Sequence, residues 1–251
     1  MDIHIIYQDA DILCINKPAG LVMHSDGKTE EYSVADWVME HFPEMQHVGE
    51  PWVSEHQGQE RVIYRPGIVH RLDRETSGIV ILAKHQDAFI YLKDQFQNRT
   101  LQKIYHSCVY GIPTAREGLI NEPIGRSGKD FRMWQAGRGA RGSLRSAETE
   151  YRVLATYRLS PEAAYAYIEW RPHTGRTHQI RVHAKYIHHP LVGDTLYGGK
   201  RTTQQPSLGF ERHALHAYMI RFMTPSGQDM TLSAPFPEDF QRVREKFLLN
   251  S

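Results

Sequence analysis

The densest polar cluster in this 251-residue chain is His70-Arg71-Leu72-Asp73-Arg74-Glu75-Thr76-Ser77-Gly78, set just before its most apolar run. Asp73 stands between Arg71 and Arg74, and nearby cations favour the ionised form of a carboxylate. An ionised carboxylate at the rim of a core can act as a nucleophile or as a general base. The same residues also make good turn chemistry, with Asp73 capping Thr76 or Ser77. A second cluster runs Arg171-Pro172-His173-Thr174-Gly175-Arg176-Thr177-His178-Gln179-Ile180-Arg181-Val182-His183. Gly175 fits a tight turn between a strand and a helix, and Thr177 is the candidate helix cap. Arg176, His178, Gln179 and Arg181 then gather around a first helical turn, where free amides and the dipole favour anions. The plain alternative is a polar, exposed helix start.

These clusters must be positioned by elements that the hydrophobic pattern partly reveals. Ile3–Tyr7 and Ile12–Ile15 read as strands, and Lys17-Pro18-Ala19-Gly20 ends the second. Ser33 predicts an N-cap for a helix carrying Val34, Trp37, Val38 and Phe42, closed at Pro43. Gly78–Ala83 is continuously apolar, as in a strand buried on both faces. Ala88, Tyr91, Leu92, Gln95 and Phe96 follow at helical spacing. Ile104–Tyr110, Glu150–Thr156, Ala164–Trp170 and Leu215–Met223 read as strands, Thr177–Ile187 as a helix, and Asp239–Leu249 as a helix burying Phe240, Val243, Phe247 and Leu248. Strands and helices do not alternate strictly. That predicts an α+β fold with a mixed, mostly antiparallel β-sheet core flanked by helices and loops.

Two stretches lack a clear period. Residues 44–66 are polar, with Gly49, Pro51, Gly58 and Pro66, and read as a long surface loop. Residues 125–145 are rich in Gly and Arg, with Phe131 and Trp134 between the charges. They read either as a disordered surface loop or as an RNA-gripping arm that orders on binding.

The two polar clusters carry a family resemblance. "HRLDRETSGIVILAK" at 70–84 and "RPHTGRTHQIRVH" at 171–183 resemble the signature blocks of the RluA-type pseudouridine synthases. "NKPAGLVMH" at 16–24, "QKIYHSCVYG" at 102–111, "HPLVGDTLYG" at 189–198 and "LHAYMIRFMTP" at 215–225 resemble further blocks of that family, in order along nearly the whole chain. The resemblance implies a pseudouridine synthase fold over residues 1–251, without the separate N-terminal RNA-binding domain of larger members. It implies that Asp73 is the catalytic aspartate, that Arg181 pairs with it, and that Tyr105 packs against the target base. Arg71 would fill the space left by a flipped nucleotide. Arg74, Lys103, Arg176 and His178 would serve RNA binding. The implied reaction isomerises uridine to pseudouridine in structured ribosomal or transfer RNA. It needs no cofactor, metal or nucleotide energy.

Bulk properties are compatible with this reading and exclude others. Hydrophobic residues make up 40% and charged residues 24%, which excludes wholesale disorder. No run approaches the roughly 18 apolar residues of a membrane span, and no basic residue precedes Lys17, so a secretory or transit leader is not expected. Cys14 and Cys108 form no disulfide framework, and the cytoplasm is the expected compartment. Net charge is +1, but residues 1–60 carry −10 while residues 61–145 carry +8, as a phosphate-facing region requires. Fifteen histidines occur without an HExxH or CxxC pattern, so no metal site is expected. No GxGxxG or P-loop occurs either, so a nucleotide cofactor has no support. A monomer is the default. Two rivals stand beside the isomerase: a non-catalytic RNA-binding or remodelling protein on the same fold, and a glycoside hydrolase. The hydrolase needs two carboxylates across a cleft, and Glu75 is the only other acid near Asp73 in sequence.

Overall fold

The computed structural model describes residues 2–25, 27, 31–56, 59–137 and 139–248. In chain order its elements are β1 (Ile5–Gln8), β2 (Ile12–Lys17), α1 (Val34–His41), a 3₁₀ turn (Pro43–Met45), β3 (Trp52–His56), β4 (Gln59–Ile63), β5 (Ser77–Ala83) and α2 (Gln86–Asn98). There follow β6 (Gln102–Tyr110), β7 (Glu117–Asn121), β8 (Ile124–Ser127), β9 (Trp134–Ala136), β10 (Ala140–Arg145), β11 (Glu148–Arg158) and β12 (Ala164–Pro172). The chain closes with α3 (Gln179–Tyr186), α4 (Lys200–Gln204), β13 (Leu215–Met223), β14 (Asp229–Ser233) and α5 (Glu238–Leu248). It forms two compact units, Met1–Gln102 with Met219–Pro235, and Lys103–Tyr218 with Phe236–Ser251. No described helix is long and apolar enough to cross a membrane.

In the first unit β2 pairs antiparallel with β1 and with β5, and β14 pairs antiparallel with Met219–Met223 of β13. Every residue of β5 is buried, as its unbroken apolar run predicts. Ser33 does cap α1: it accepts from Asp36 N while Asp36 reaches back to the cap amide, a reciprocal capping box. His85 caps α2, which buries Ala88, Phe89, Leu92 and Gln95. The Gln95 amide exchanges two hydrogen bonds with the Met223 backbone, at 2.8 and 2.9 Å, and so ties α2 to the end of β13. Gly67 marks where the chain returns to β5. It accepts from Ala83 N and donates to Val48 O, each at 2.9 Å, with φ at +65°. A Cβ there would lie 2.2 Å from Ala83 O.

The second unit is a run of antiparallel strands in the order β6-β12-β11-β7. Alternation along β6 and β12 sorts their side chains onto two faces. Cys108, Tyr110, Tyr165 and Tyr167 join Phe240, Val243 and Phe247 of α5 on one face. Val109, Ala166, Ile168 and Trp170 join Ile180 and Ala184 of α3 on the other. A helix therefore covers each face, which is why the His106–Tyr110 and Tyr165–Ile168 stretches are buried on both sides. His106 lies among them, 8% exposed, and burial together with the charges of His216 and Arg244 brings its pKa down to about 4.

The structure corrects three sequence expectations. Residues 44–66 are not one long loop: they contain the 3₁₀ turn and the antiparallel hairpin β3–β4. The strands of this hairpin are short, and the described flanking side chains Trp52, Val53 and Val62 are exposed, so no core-facing stripe announces them. Residues 125–145 are not an unfolded arm but mostly a three-stranded antiparallel sheet, β10-β8-β9. Its apolar positions Ile124 and Ala136 pack with Ala147, Val182 and Tyr197, contacts too far apart in sequence to read locally. The helix expected from Thr177 starts at Gln179, and the residue at its cap position is His178, in the left-handed conformation at φ 56° with no side-chain cap bond. The C-terminal helix buries Phe240, Val243 and Phe247 as expected, while the Leu248 side chain and Leu249 lie outside the described residues.

Two stability outcomes follow. Gly67→Ala will destabilise the fold by about 2 kcal/mol or more, read from denaturant unfolding, because both the backbone conformation and the space reject a methyl group. His106 carries a lowered pKa in the folded state, so the unfolded chain takes up a proton below about pH 6.5 while the folded one does not. Stability will therefore fall as pH drops from 6.5 towards 4, by about 3 kcal/mol from this residue. Melting curves across that range will show a smaller loss for His106→Phe than for the parent.

Candidate active site

In the first unit the sequence-predicted residues Arg71, Asp73 and Arg74 lie on the loop that leads into β5. His70 anchors the loop's start: its ring stacks on Phe96 at 4.5 Å, and its Nε2 accepts from Ile81 N at 3.0 Å. Leu72 is buried, and Asp73 is partly exposed. A turn follows, closed by Thr76 N donating to Asp73 O at 3.0 Å, and the Thr76 and Ser77 side chains are buried. The Arg74 guanidinium forms a two-bond pair with Glu31 at 2.5 and 2.8 Å near the surface. Such exposed pairs contribute little, so they exchange readily for other anions.

Sequence reasoning missed Lys17, which lies at full burial in this unit. Its Nζ donates to the carbonyls of Pro18, Leu21 and Arg74 at 2.8, 2.7 and 2.9 Å. An ammonium has three donors, and a buried one is tolerated only when they are met. Lys17 thus fastens the Pro18–Leu21 turn to the residue after Asp73, and Gly20 N donating to Arg74 O at 3.0 Å fastens it again. The signal was an isolated basic residue at the end of an apolar strand. Arg65 was also missed. Its guanidinium lies 5.2 Å from the Trp52 ring centroid, its buried Nε has no partner among the described residues, and burial and then the charge of Arg71 hold its pKa below the ordinary value. Two guanidiniums that repel one another are a favourable place for a phosphate.

In the second unit Tyr105 lies on β6 opposite Trp170 of β12, partly buried against an apolar group that includes Ile168 and Trp170. Lys103, also on β6, reaches Thr174 O at 3.5 Å. The turn between β12 and α3 is held by Gln179, whose amide makes four bonds. Its Oε1 accepts from Thr174 Oγ1 at 2.6 Å and Arg176 N at 2.9 Å, and its Nε2 donates to Glu148 O and Thr149 Oγ1, both at 2.9 Å. The Thr149 hydroxyl lies 2.8 Å from His183 Nδ1, and His183 Nε2 lies 3.0 Å from Glu122 O. A carbonyl can only accept, so Nε2 carries the proton and Nδ1 receives the hydroxyl. Burial lowers the His183 pKa and keeps that ring neutral. Gln179 and His183 are thus structural pins. Arg176 Nε donates to Ser146 O at 2.9 Å, and His178 Nδ1 lies 2.8 Å from the Tyr197 hydroxyl.

Arg181 is 7% exposed. Its Nε and Nη2 donate to the two oxygens of Asp194 at 2.8 and 2.9 Å, and its guanidinium carbon lies 4.9 Å from the Tyr197 ring centroid. Asp194 Oδ1 also accepts from Leu196 N and Tyr197 N at 3.1 and 3.0 Å. Burial alone would push the Asp194 carboxyl up, but Arg181's hydrogen bonds and charge, the charge of His213 and the Tyr197 amide outweigh it and hold the pKa below the usual value. Asp194 was not singled out from the sequence. Its Gly-Asp context in "HPLVGDTLYG" was the available signal.

This arrangement can be set beside known proteins. Residues 11–186 match the family model described as RNA pseudouridylate synthase. A ribosomal large subunit pseudouridine synthase D from Vibrio parahaemolyticus is 37% identical over 251 aligned residues, covering 96% of this chain and 69% of that protein. A Bacillus subtilis protein named as an RNA pseudouridine synthase is 34% identical, covering 100% of this chain and 74% of its own length. In fold, the chain is similar to the human RNA pseudouridylate synthase domain-containing protein 1, with a TM-score of 0.71 at 23% identity, covering 94% of this chain and 84% of that one. The fixed loop around Asp73, the pinned turn before α3 and these matches converge: the chain belongs to the RluA-type family of RNA pseudouridine synthases, isomerases that convert uridine in RNA to pseudouridine.

Proposed function

We propose that this chain isomerises particular uridines in structured RNA, with Asp73 as the essential carboxylate, Arg181 as the cation paired with its charge, and Tyr105 as the platform for an extruded base. The observation that carries this reading is the fixation of the Asp73 loop. Lys17 and Gly20 hold Arg74 O on one side, and the His70 ring holds the other. A reactive group must be held to within about half an ångström of its working geometry, and packed backbone anchors of this kind supply that.

The reaction breaks the bond from uracil N1 to ribose C1′, turns the base, and joins C5 to C1′. The proton on C5 is lost to solvent and N1 takes one up, so the product is an isomer of the substrate. An ionised carboxylate serves either as the nucleophile at the sugar or as the base that takes a proton. Extruding a stacked nucleotide costs a few kcal/mol, and stacking on an aromatic such as Tyr105 offsets roughly 1–3 kcal/mol of it. Arg181 suits its role because Asp194 fixes its guanidinium through Nε and Nη2, so the cation is preorganised. Arg65 and Arg74 would meet phosphates, and Arg71 would fill the space left by the extruded nucleotide. Relatives named for the large ribosomal subunit make its RNA the first substrate to test, with transfer RNA as the comparison.

The test is tritium release from RNA labelled at uridine C5. Asp73→Asn will abolish release while RNA affinity stays within a few-fold of the parent. Normal release by this variant would remove Asp73 from the chemistry. Arg181→Ala will lower turnover by about 10²-fold or more, the scale of losing a preorganised charged donor. Arg181→Lys will recover only part of it, because an ammonium cannot reproduce the fork. Turnover near the parental value in Arg181→Ala would end its assignment.

A further inference from the structure

A surface cleft between the three-stranded sheet β8–β10 and α3 takes no part in the chemistry above. Its volume is about 1290 Å³, beyond the roughly 300–1,000 Å³ of a small-molecule pocket, so its dimensions suit a length of chain. Met133, Trp134 and Tyr186 contribute aromatic and apolar surface to it, and Lys129, Lys185 and His188 contribute amino and imidazole groups. The acid in the lining, Glu122, already accepts the Tyr186 hydroxyl at 2.7 Å. The Arg126 guanidinium lies 4.5 Å from the Trp134 ring centroid. Residues 124–147 carry six Lys or Arg against one acid, Asp130, which is paired with Arg132 at 2.7 Å.

The walls are preformed. Trp134 N donates to the Tyr197 hydroxyl at 2.9 Å, and Ile124 and Ala136 pack on Val182 of α3. Val182 and Lys185, which line the cleft, follow Arg181 within about one helical turn. Aromatic faces beside positive charge are the elements that hold single-stranded nucleic acid: stacking accepts any base, and the cations track the phosphates. The charge complementarity favours RNA over an apolar peptide.

We infer that this cleft binds unpaired nucleotides of the substrate RNA, with bases on Trp134 and Tyr186 and phosphates on Lys129 and Lys185. The inference rests on the RNA-modifying reading above and adds a determinant of which RNAs are taken. The substrate would present a single-stranded segment in addition to the modified position, and a bare paired stem would be a poor one.

The full chain, Trp134→Ala and the double variant Lys129→Ala/Lys185→Ala are compared by anisotropy with a fluorescent single-stranded oligoribonucleotide and by tritium-release kinetics. Each variant will bind about tenfold more weakly and raise KM by a similar factor with kcat little changed. The double variant will also reduce the salt dependence of log K by about 1.4. On a hairpin trimmed of its single-stranded flank, parent and variants will have the same KM. Parental binding by both variants overturns the inference, as does equal competition by polyglutamate, which would assign the surface to an acidic protein. Should Trp134→Ala melt early, the surface double variant decides alone. A parent that binds the oligonucleotide through these residues but releases no tritium would refute the isomerase reading and leave the cleft standing. An active parent with indifferent variants would do the reverse.

Discussion

A guanidinium and a carboxylate taken out of water together each lose several kcal/mol of hydration. In the second unit, the Arg181–Asp194 pair recovers that loss through geometry. The two planar groups meet in a fork at 2.8 and 2.9 Å, two backbone amides complete the shell of Asp194, and the Tyr197 ring covers the cation. None of these partners is dispensable, because a half-satisfied buried pair is worse than an apolar one. The pair therefore sets the rotation of α3 against the segment around Asp194. The elements around it, from the turn before α3 to the small sheet that contacts Tyr197, are arranged so that the pair stays intact.

In the first unit, backbone carbonyls take up much of the same task. Lys17 is wholly buried, and its Nζ donates to three carbonyl oxygens. Dipoles hold the charge by position, so the backbone on both sides is fixed as a consequence. One of those carbonyls belongs to Arg74, and the neighbouring carboxylate inherits that fixation. Peptide dipoles thus position a buried cation in one unit, as a forked carboxylate does in the other.

Much of this was readable from residue order, for reasons that are local. Ser33 before a helical repeat announces an N-cap, the unbroken Gly78–Ala83 run announces a strand covered on both faces, and Leu215–Met223 was bounded correctly by its apolar content. The clusters at 70–78 and 171–183 stood out because so many donors crowd next to turns. What escaped notice depends on partners distant in the chain. Arg181 and Asp194 are thirteen residues apart, Lys17 and Arg74 fifty-seven, and no spacing rule joins them. The β8–β10 sheet was illegible because its glycines and arginines suggest a loop, while the contacts that fold it come from Val182 and Tyr197. Thr177 looked like the helix cap, but Gln179 already meets Arg176 N, and the chain turns at His178 instead.

The chain of bonds from Gln179 through Thr149 and His183 to Glu122 has one direction throughout. Each group donates forward and accepts from behind, and the carbonyl at the end permits no reversal. Replacing one member with a side chain of opposite polarity would put two donors or two acceptors face to face at one contact of the chain. Substitutions along it should therefore be tolerated mainly in matched sets, so this stretch of the molecule would drift as a block in any lineage that retains the fold.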